Sequence, residues 1–287
     1  MYLYAGLSGT TLSVDTFDLG RDVQLVATYA HLMSPYIVAF APAGPQGYHP
    51  APWQAATGGA GFDITIELRV PNASLIGNLD ASELIWWIAA LLRIGQVPQL
   101  TVPVRSNYPF ESAKDGPGEL SLEPMEVTPR IFRAAPDTPQ SITADTLDWL
   151  KRKWEPAGQL LANNPRFYTA LKAFDGATIE GKSSSAMLAL WGGLEQLFAP
   201  SAGELRFRVS ALIAAYLEQP GAARLECYKR ILKLYNERSQ AAHTAADVTT
   251  GPLIESYVLM RNVLVKMIDE CNVPTQSSLE DQLFGVT

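Results

Sequence analysis

The chain has 287 residues, a formal net charge of −7, 47% hydrophobic and 18% charged side chains, and two cysteines. That is the balance of a globular protein long enough for two domains, each with its own core, and it excludes the strongly basic surface that grips nucleic acid by bulk charge. The acidic excess is uneven, with 7 basic and 13 acidic side chains in residues 1–144 against 15 and 16 in residues 145–287.

Cys227 and Cys271 stand in helical-looking sequence with no CxxC or Cys/His grouping around them, which fits a reducing compartment. The start, M-Y-L-Y-A-G-L-S, lacks the basic flank and long apolar run of a signal peptide. The longest apolar stretch, 84–92, is about half of what crosses a bilayer. A cytoplasmic location with no membrane contact is therefore expected.

Residues 1–140 read mainly as strands. Residues 11–19 are Thr-rich and roughly alternating, 23–29 are apolar, and 36–40 form a short run expected to be a buried strand, ended by A-P-A-G-P. The glycine-rich stretch 44–61 reads as a surface loop: T-G-G-A-G-F has no Gly-Lys-Ser/Thr after it and leads into a strand, so it is no phosphate cradle. Residues 62–70, F-D-I-T-I-E-L-R-V, form the clearest strand, with Phe62, Ile64, Ile66, Leu68 and Val70 on one face and Asp63, Thr65, Glu67 and Arg69 on the other.

Asp80 and Glu83 have the spacing of a capping box ahead of an apolar run, which predicts a helix through Arg93. Trp86 and Trp87 point about 100° apart on it, so the helix is expected to be covered on most sides. Residues 100–104 and 120–127 add short strands. His31 and His49 are separated by prolines and loop without an acidic or cysteine partner at ligand spacing, and no metal site is expected from them.

Residues 133–140, R-A-A-P-D-T-P-Q, read as a linker. Beyond it the pattern is helical. Thr143 caps a predicted helix to about Asn163, perturbed at Pro156, and Asn164 caps the next, with Pro165 at its first position. Further helices are predicted over 183–198, 204–218, 222–242 and 252–271, with a short docking segment at 279–284. The predicted class is α+β: a mainly β N-terminal domain (1–140) that senses or binds, followed by an all-α helical domain (141–287).

The helix around L-K-L-Y-N-E-R-S-Q-A-A-H carries Arg238 and, five residues on, His243, one of three histidines. A separation of five is about 140° around the axis, so the two heads converge only if the last turn loosens. A fixed cation beside a side chain that titrates near neutrality is what phosphodiester chemistry without a metal requires. The same residues also read as structure, with His243 capping carbonyls and Arg238 paired with Glu237 or Asp247.

Three ordered blocks bear on that choice. They are S-S-A-M-L-A-L-W-G-G-L-E-Q-L-F, ending in L-E-x-L-F at 194–198; E-L-R-F-R-V-S-A-L-I-A-A-Y-L at 204–217; and Y-K-R-I-L-K-L-Y-N-E-R-S-Q-A-A-H at 228–243. Together, over 183–267, they resemble the HEPN superfamily, in particular its Apea-like branch. The last block looks like the family's Tyr-x-x-Arg-Ser form of the Arg, four to six residues, His signature. Thr244 stands where members of the branch usually have glycine, which implies a different exit from the helix.

The resemblance implies an all-α, HEPN-like bundle that forms a homodimer and brings two Arg/His motifs together. It further implies a metal-independent endoribonuclease without a cofactor, acting on RNA. Carried over, His243 takes a proton from the ribose 2′-OH, Arg238 stabilises the charge on the phosphorane, and a 2′,3′-cyclic phosphate results. Glu195, in the L-E-x-L-F block, either orients His243 or binds Arg238; Tyr235 either stacks on a base or packs; and Ser239 lies beside the arginine as a supporting residue. Arg206 and Arg208 fall on opposite faces around Phe207, so at most one reaches the site. Such fusions are similar to defence or toxin effectors, with a protein or phage-derived trigger at the N-terminal domain. The alternative is a non-catalytic dimerisation or binding module within a protein complex.

Overall fold

The computed structural model describes residues 2–34, 37–56, 60–115, 118–128, 130, 141–199, 205–243 and 248–286. The chain falls into two compact units, the first made of Met1–Pro71, Thr101–Val127 and Gln140–Ile142, the second of Asn72–Leu100, Thr128–Pro139 and Thr143–Thr287. Where the sequence suggests one cut at 140, the two units thus interleave, because the helix opened by Asp80 packs with the later helices. The linker expected at 133–140 lies outside the described residues.

The first unit is built on an antiparallel sheet. Its strands are β1 (Tyr2–Ser8), β2 (Thr11–Leu12), β3 (Thr16–Gly20), β4 (Val23–Ser34), β5 (Ile37–Ala39), β6 (Trp53–Ala55), β7 (Ala60–Pro71), β8 (Thr101–Ser106), β9 (Leu122–Pro124) and β10 (Ser141–Ile142). Six of them pair in the order β3-β4-β7-β1-β8-β9, while β10 pairs with β2 and β5 with β6. Phe62, Ile64, Ile66, Leu68 and Val70 of β7 are all buried, as their alternation predicts. Ala5 and Leu7 of β1, next to β7, are buried with them.

Two features of this unit depart from the expectation. Ile37 and Val38 are exposed, so the described part of the apolar run expected to be buried, Ile37–Ala39, is a surface strand paired with Trp53–Ala55. Glu67, expected on a wet face, is 1% exposed: Arg69 Nε donates to it at 2.6 Å and the Phe110 backbone N–H at 2.6 Å, which satisfies the buried carboxylate.

The second unit begins with α1 (Ala81–Gly95), whose Asp80 side chain accepts from the backbone of Ser82 and Glu83 while Glu83 reaches back to the Asp80 N–H, a complete capping box. There follow α2 (Ala144–Asn163), α3 (Pro165–Ala177), α4 (Ser183–Phe198), α5 (Leu205–Leu217), α6 (Ala222–His243), α7 (Thr250–Glu270) and α8 (Gln276–Phe284). Thr143 and Asn164 accept from backbone N–H groups at the starts of α2 and α3, and Pro165 begins α3. Pro156 sits inside α2 without ending it. Arg261 of α7 donates to the Ile94 and Gly95 carbonyls at 2.6 and 2.7 Å, satisfying orphan acceptors at the C-terminus of α1.

Large aromatic side chains fill this core, with Trp87, Trp154, Trp191, Phe167, Phe174 and Phe198 fully buried. Helix α3 packs on α4, α5 on α6, and α4 also meets α6 and α7. Among the described residues no helix is long and apolar enough to cross a membrane.

Candidate functional site

Helix α6 contains neither glycine nor proline over Ala222–His243. Cys227, Ile231, Leu234, Tyr235 and Ala241 are buried on one stripe at helical spacing, which seats the helix on its neighbours. Arg238 follows Ile231 by seven residues and Tyr235 by three, so it sits at the rim of that stripe with its side chain 23% exposed. Helix α4 presents Trp191 and Glu195 one turn apart in the same way, Trp191 fully buried and the Glu195 side chain 19% exposed.

These two rims meet. Arg238 Nη2 lies 3.1 Å from Glu195 Oε1 and 3.3 Å from Oε2, and the Tyr235 hydroxyl donates to Oε1 at 3.0 Å. The Arg238 guanidinium carbon is 5.5 Å from the centre of the Tyr235 ring. Trp191 meets that ring edge-to-face at 5.2 Å and 87°, and its indole N–H donates to Ser256 Oγ of α7 at 3.0 Å. One carboxylate thus gathers a guanidinium and a phenol, with a tryptophan fixing the phenol from below. Arg238 Nε is buried and has no hydrogen-bond partner among the described residues.

Of the residues expected here, Glu195, Tyr235 and Arg238 come together. Tyr235 packs against Trp191 and is only 6% exposed, so packing wins over stacking on a base. Burial, followed by its bond to Glu195, raises the Tyr235 phenol above its ordinary value, which keeps it a protonated donor at neutral pH. Ser239 is half-buried beside Arg238 on the same turn. His243 is the last residue of α6; its side chain and Thr244 lie outside the described residues. Arg206 does not join the cluster at Glu195; it lines a groove between α5 and α6.

Sequence reading overlooks Ser256, which sits on another helix and carries no local signal, and it overlooks a second polar cluster in the same unit. There Asp175, 7% exposed, accepts from Trp86 Nε1 at 2.9 Å and from Arg93 Nη1 at 3.0 Å, and lies 3.1 Å from Arg130 Nη1. Arg130 also donates to the Asp175 carbonyl at 2.8 Å and to the Thr178 hydroxyl. Burial pushes the Asp175 carboxyl up, but Arg93 and Arg130 together more than offset it and hold the group below the usual carboxylate range. Every oxygen there is engaged, so this cluster reads as architecture.

Chemically, the Glu195 cluster offers one cation held in place by a carboxylate that the Tyr235 hydroxyl also fixes, the kind of preorganised charge that stabilises a developing anion. Among the described residues no group of three or more His, Cys, Asp or Glu side chains is placed to hold a metal ion. In comparisons with known proteins, no family model, no curated protein and no solved structure matches this chain.

Proposed function

We propose that the chain is a metal-independent endoribonuclease of HEPN type, an effector in defence or a toxin, regulated by its N-terminal unit. The observation that carries the reading is the guanidinium of Arg238, held at 3.1 Å by Glu195 five residues before the histidine that ends α6. In this reading Glu195 is a positioning residue: it fixes Arg238 without touching RNA, and Tyr235 helps to fix Glu195. Arg238 meets the charge that builds on the phosphorane, and His243 removes the 2′-OH proton. The attacking 2′-oxygen forms the new P–O bond as the 5′-oxygen leaves and takes up a proton from water, which gives a 2′,3′-cyclic phosphate and a 5′-hydroxyl. A homodimer through the helical unit supplies the second Arg/His pair, and the sheet unit receives a protein or phage-derived trigger.

The test is incubation of the purified protein with tRNA and total RNA in EDTA, comparing wild type with His243→Ala and Arg238→Ala. The expected result is cleavage by wild type and its loss in both variants, with cyclic phosphate ends on the products. Cleavage that persists at the wild-type rate in both variants rejects the mechanism.

A second reading is favoured by the same ion pair. Arg238 is engaged by Glu195 and lies over Tyr235, which also suits a structural arginine in a non-catalytic dimerisation or binding module. Dimerisation in solution that survives Arg238→Ala and His243→Ala, with no cleavage of any RNA, would select this alternative.

A further inference from the structure

Ten residues before Arg238, the same helix borders an open groove. It has a volume of about 460 Å³ and is lined by Leu205, Arg206 and Phe207 of α5 and by Tyr228 and Leu232 of α6. Phe207 is 54% exposed although it is a large apolar side chain near the start of a helix. Its ring meets that of Tyr228 edge-to-face, with centroids 6.1 Å apart and planes at 72°. An edge-to-face pair covers at most one face of one ring, and the exposure of Phe207 leaves ring surface open to solvent. Leu205 and Leu232, both half-buried, complete the apolar wall, and among the described residues that line the groove the exposed Arg206 is the one cation.

The volume falls in the range of small-ligand sites, and the lining combines aromatic surface with the positive charge of Arg206. That combination suits a planar ring that carries an anion beside it: the Phe207 ring takes the base by stacking, and the guanidinium takes a phosphate. An aliphatic ligand would leave the Arg206 guanidinium without a partner, and an acidic peptide would leave the aromatic surface bare.

We propose that this groove is a nucleotide subsite, in which a nucleobase stacks on the exposed ring of Phe207, Tyr228 borders it edge-on, and Arg206 binds the adjoining phosphate. Tyr228 and Arg238 are ten residues apart on one helix, roughly 15 Å along its axis. Under the ribonuclease reading, on which this assignment of the strand rests, the groove holds a base a few nucleotides from the scissile step. The same chemistry is presented by a free nucleotide, and the experiment separates the two.

Binding of a fluorescently labelled 2′-O-methyl RNA octamer, which cannot be cleaved through its 2′ position, is measured by anisotropy; binding of free AMP is measured by calorimetry. Both use the full chain as wild type, Phe207→Ala, Phe207→Trp and Arg206→Ala. Phe207 and Arg206 are exposed, so these changes leave the core intact. Loss of a stacked base weakens the octamer about tenfold in Phe207→Ala, and the tryptophan variant restores it. Arg206→Ala weakens binding and flattens its salt dependence.

Phe207-dependent binding of the octamer but not of AMP identifies a strand subsite. Phe207-dependent binding of AMP alone identifies a free-nucleotide site. Binding of neither, or binding that Phe207→Ala and Arg206→Ala leave unchanged, overturns the proposal. Cleavage of unmodified RNA in EDTA is read in parallel, so failure of the groove and failure of the ribonuclease reading are told apart.

Discussion

Glu195 on α4 and Arg238 on α6 are 43 residues apart in the sequence and 3.1 Å apart in space, and the same carboxylate accepts the Tyr235 hydroxyl. Changing Glu195 to Gln therefore removes a charge-assisted contact from two donors at once. Both charged side chains are partly exposed, so the expected loss is modest, about 1–2 kcal/mol by urea denaturation. Tyr235→Phe is expected to cost less, and the double variant less than the sum of the singles, because the two share one acceptor. Strict additivity would show that the carboxylate does not couple them.

Asp175 is the more consequential carboxylate for stability. Asp175→Asn leaves Arg93 and Arg130 buried beside a neutral group, with an expected loss of about 3–5 kcal/mol. Since the folded protein holds this carboxyl below its ordinary value, the unfolded chain binds the proton more readily. The contribution is complete above the unfolded value of about 3.9 and is lost as pH falls through the folded value below it. Stability measured against pH is expected to show a shallower acid limb in Asp175→Asn than in wild type.

On the sheet unit, His31 of β4 and Asp63 of β7 face each other in register, with Nδ1 2.7 Å from Oδ1. The hydrogen bond from His31 holds the exposed Asp63 carboxyl below its ordinary value. His31→Ala is expected to raise it, as read by carboxyl-carbon NMR titration. An unchanged midpoint would show that the pair does not persist in solution.

The two adjacent glycines of α4 are expected to respond in opposite directions. A Cβ on Gly193 would sit 2.4 Å from Met260 Cε and 3.3 Å from Ala170 Cα, while one on Gly192 would meet nothing within 4 Å. Gly193→Ala should destabilise by about 1–3 kcal/mol through overpacking against the α3 backbone. Gly192→Ala should stabilise by about 0.5–1 kcal/mol by removing backbone entropy from the unfolded chain. Thermal denaturation of the two variants checks the contrast.

What the sequence determined by itself is local. The capping box at Asp80 and Glu83, the caps Thr143 and Asn164 and, Glu67 apart, the alternation of 62–70 are realised, because a capping bond spans about three residues and a strand's faces follow from a period of two. The approach of Glu195 and Tyr235 to Arg238 was within reach only because both sit in ordered helical blocks.

What the tertiary structure decided is partnership over distance. Arg93 and Arg130 reach Asp175 across 82 and 45 residues, Glu67 is buried by a backbone N–H 43 residues away, and Ile37 and Val38 lie exposed in spite of their apolar character. Composition and periodicity say that a side chain is polar or apolar. Only the packing of one element against another says whether a carboxylate finds its cation, and so whether Glu195 holds Arg238 or leaves it to solvent.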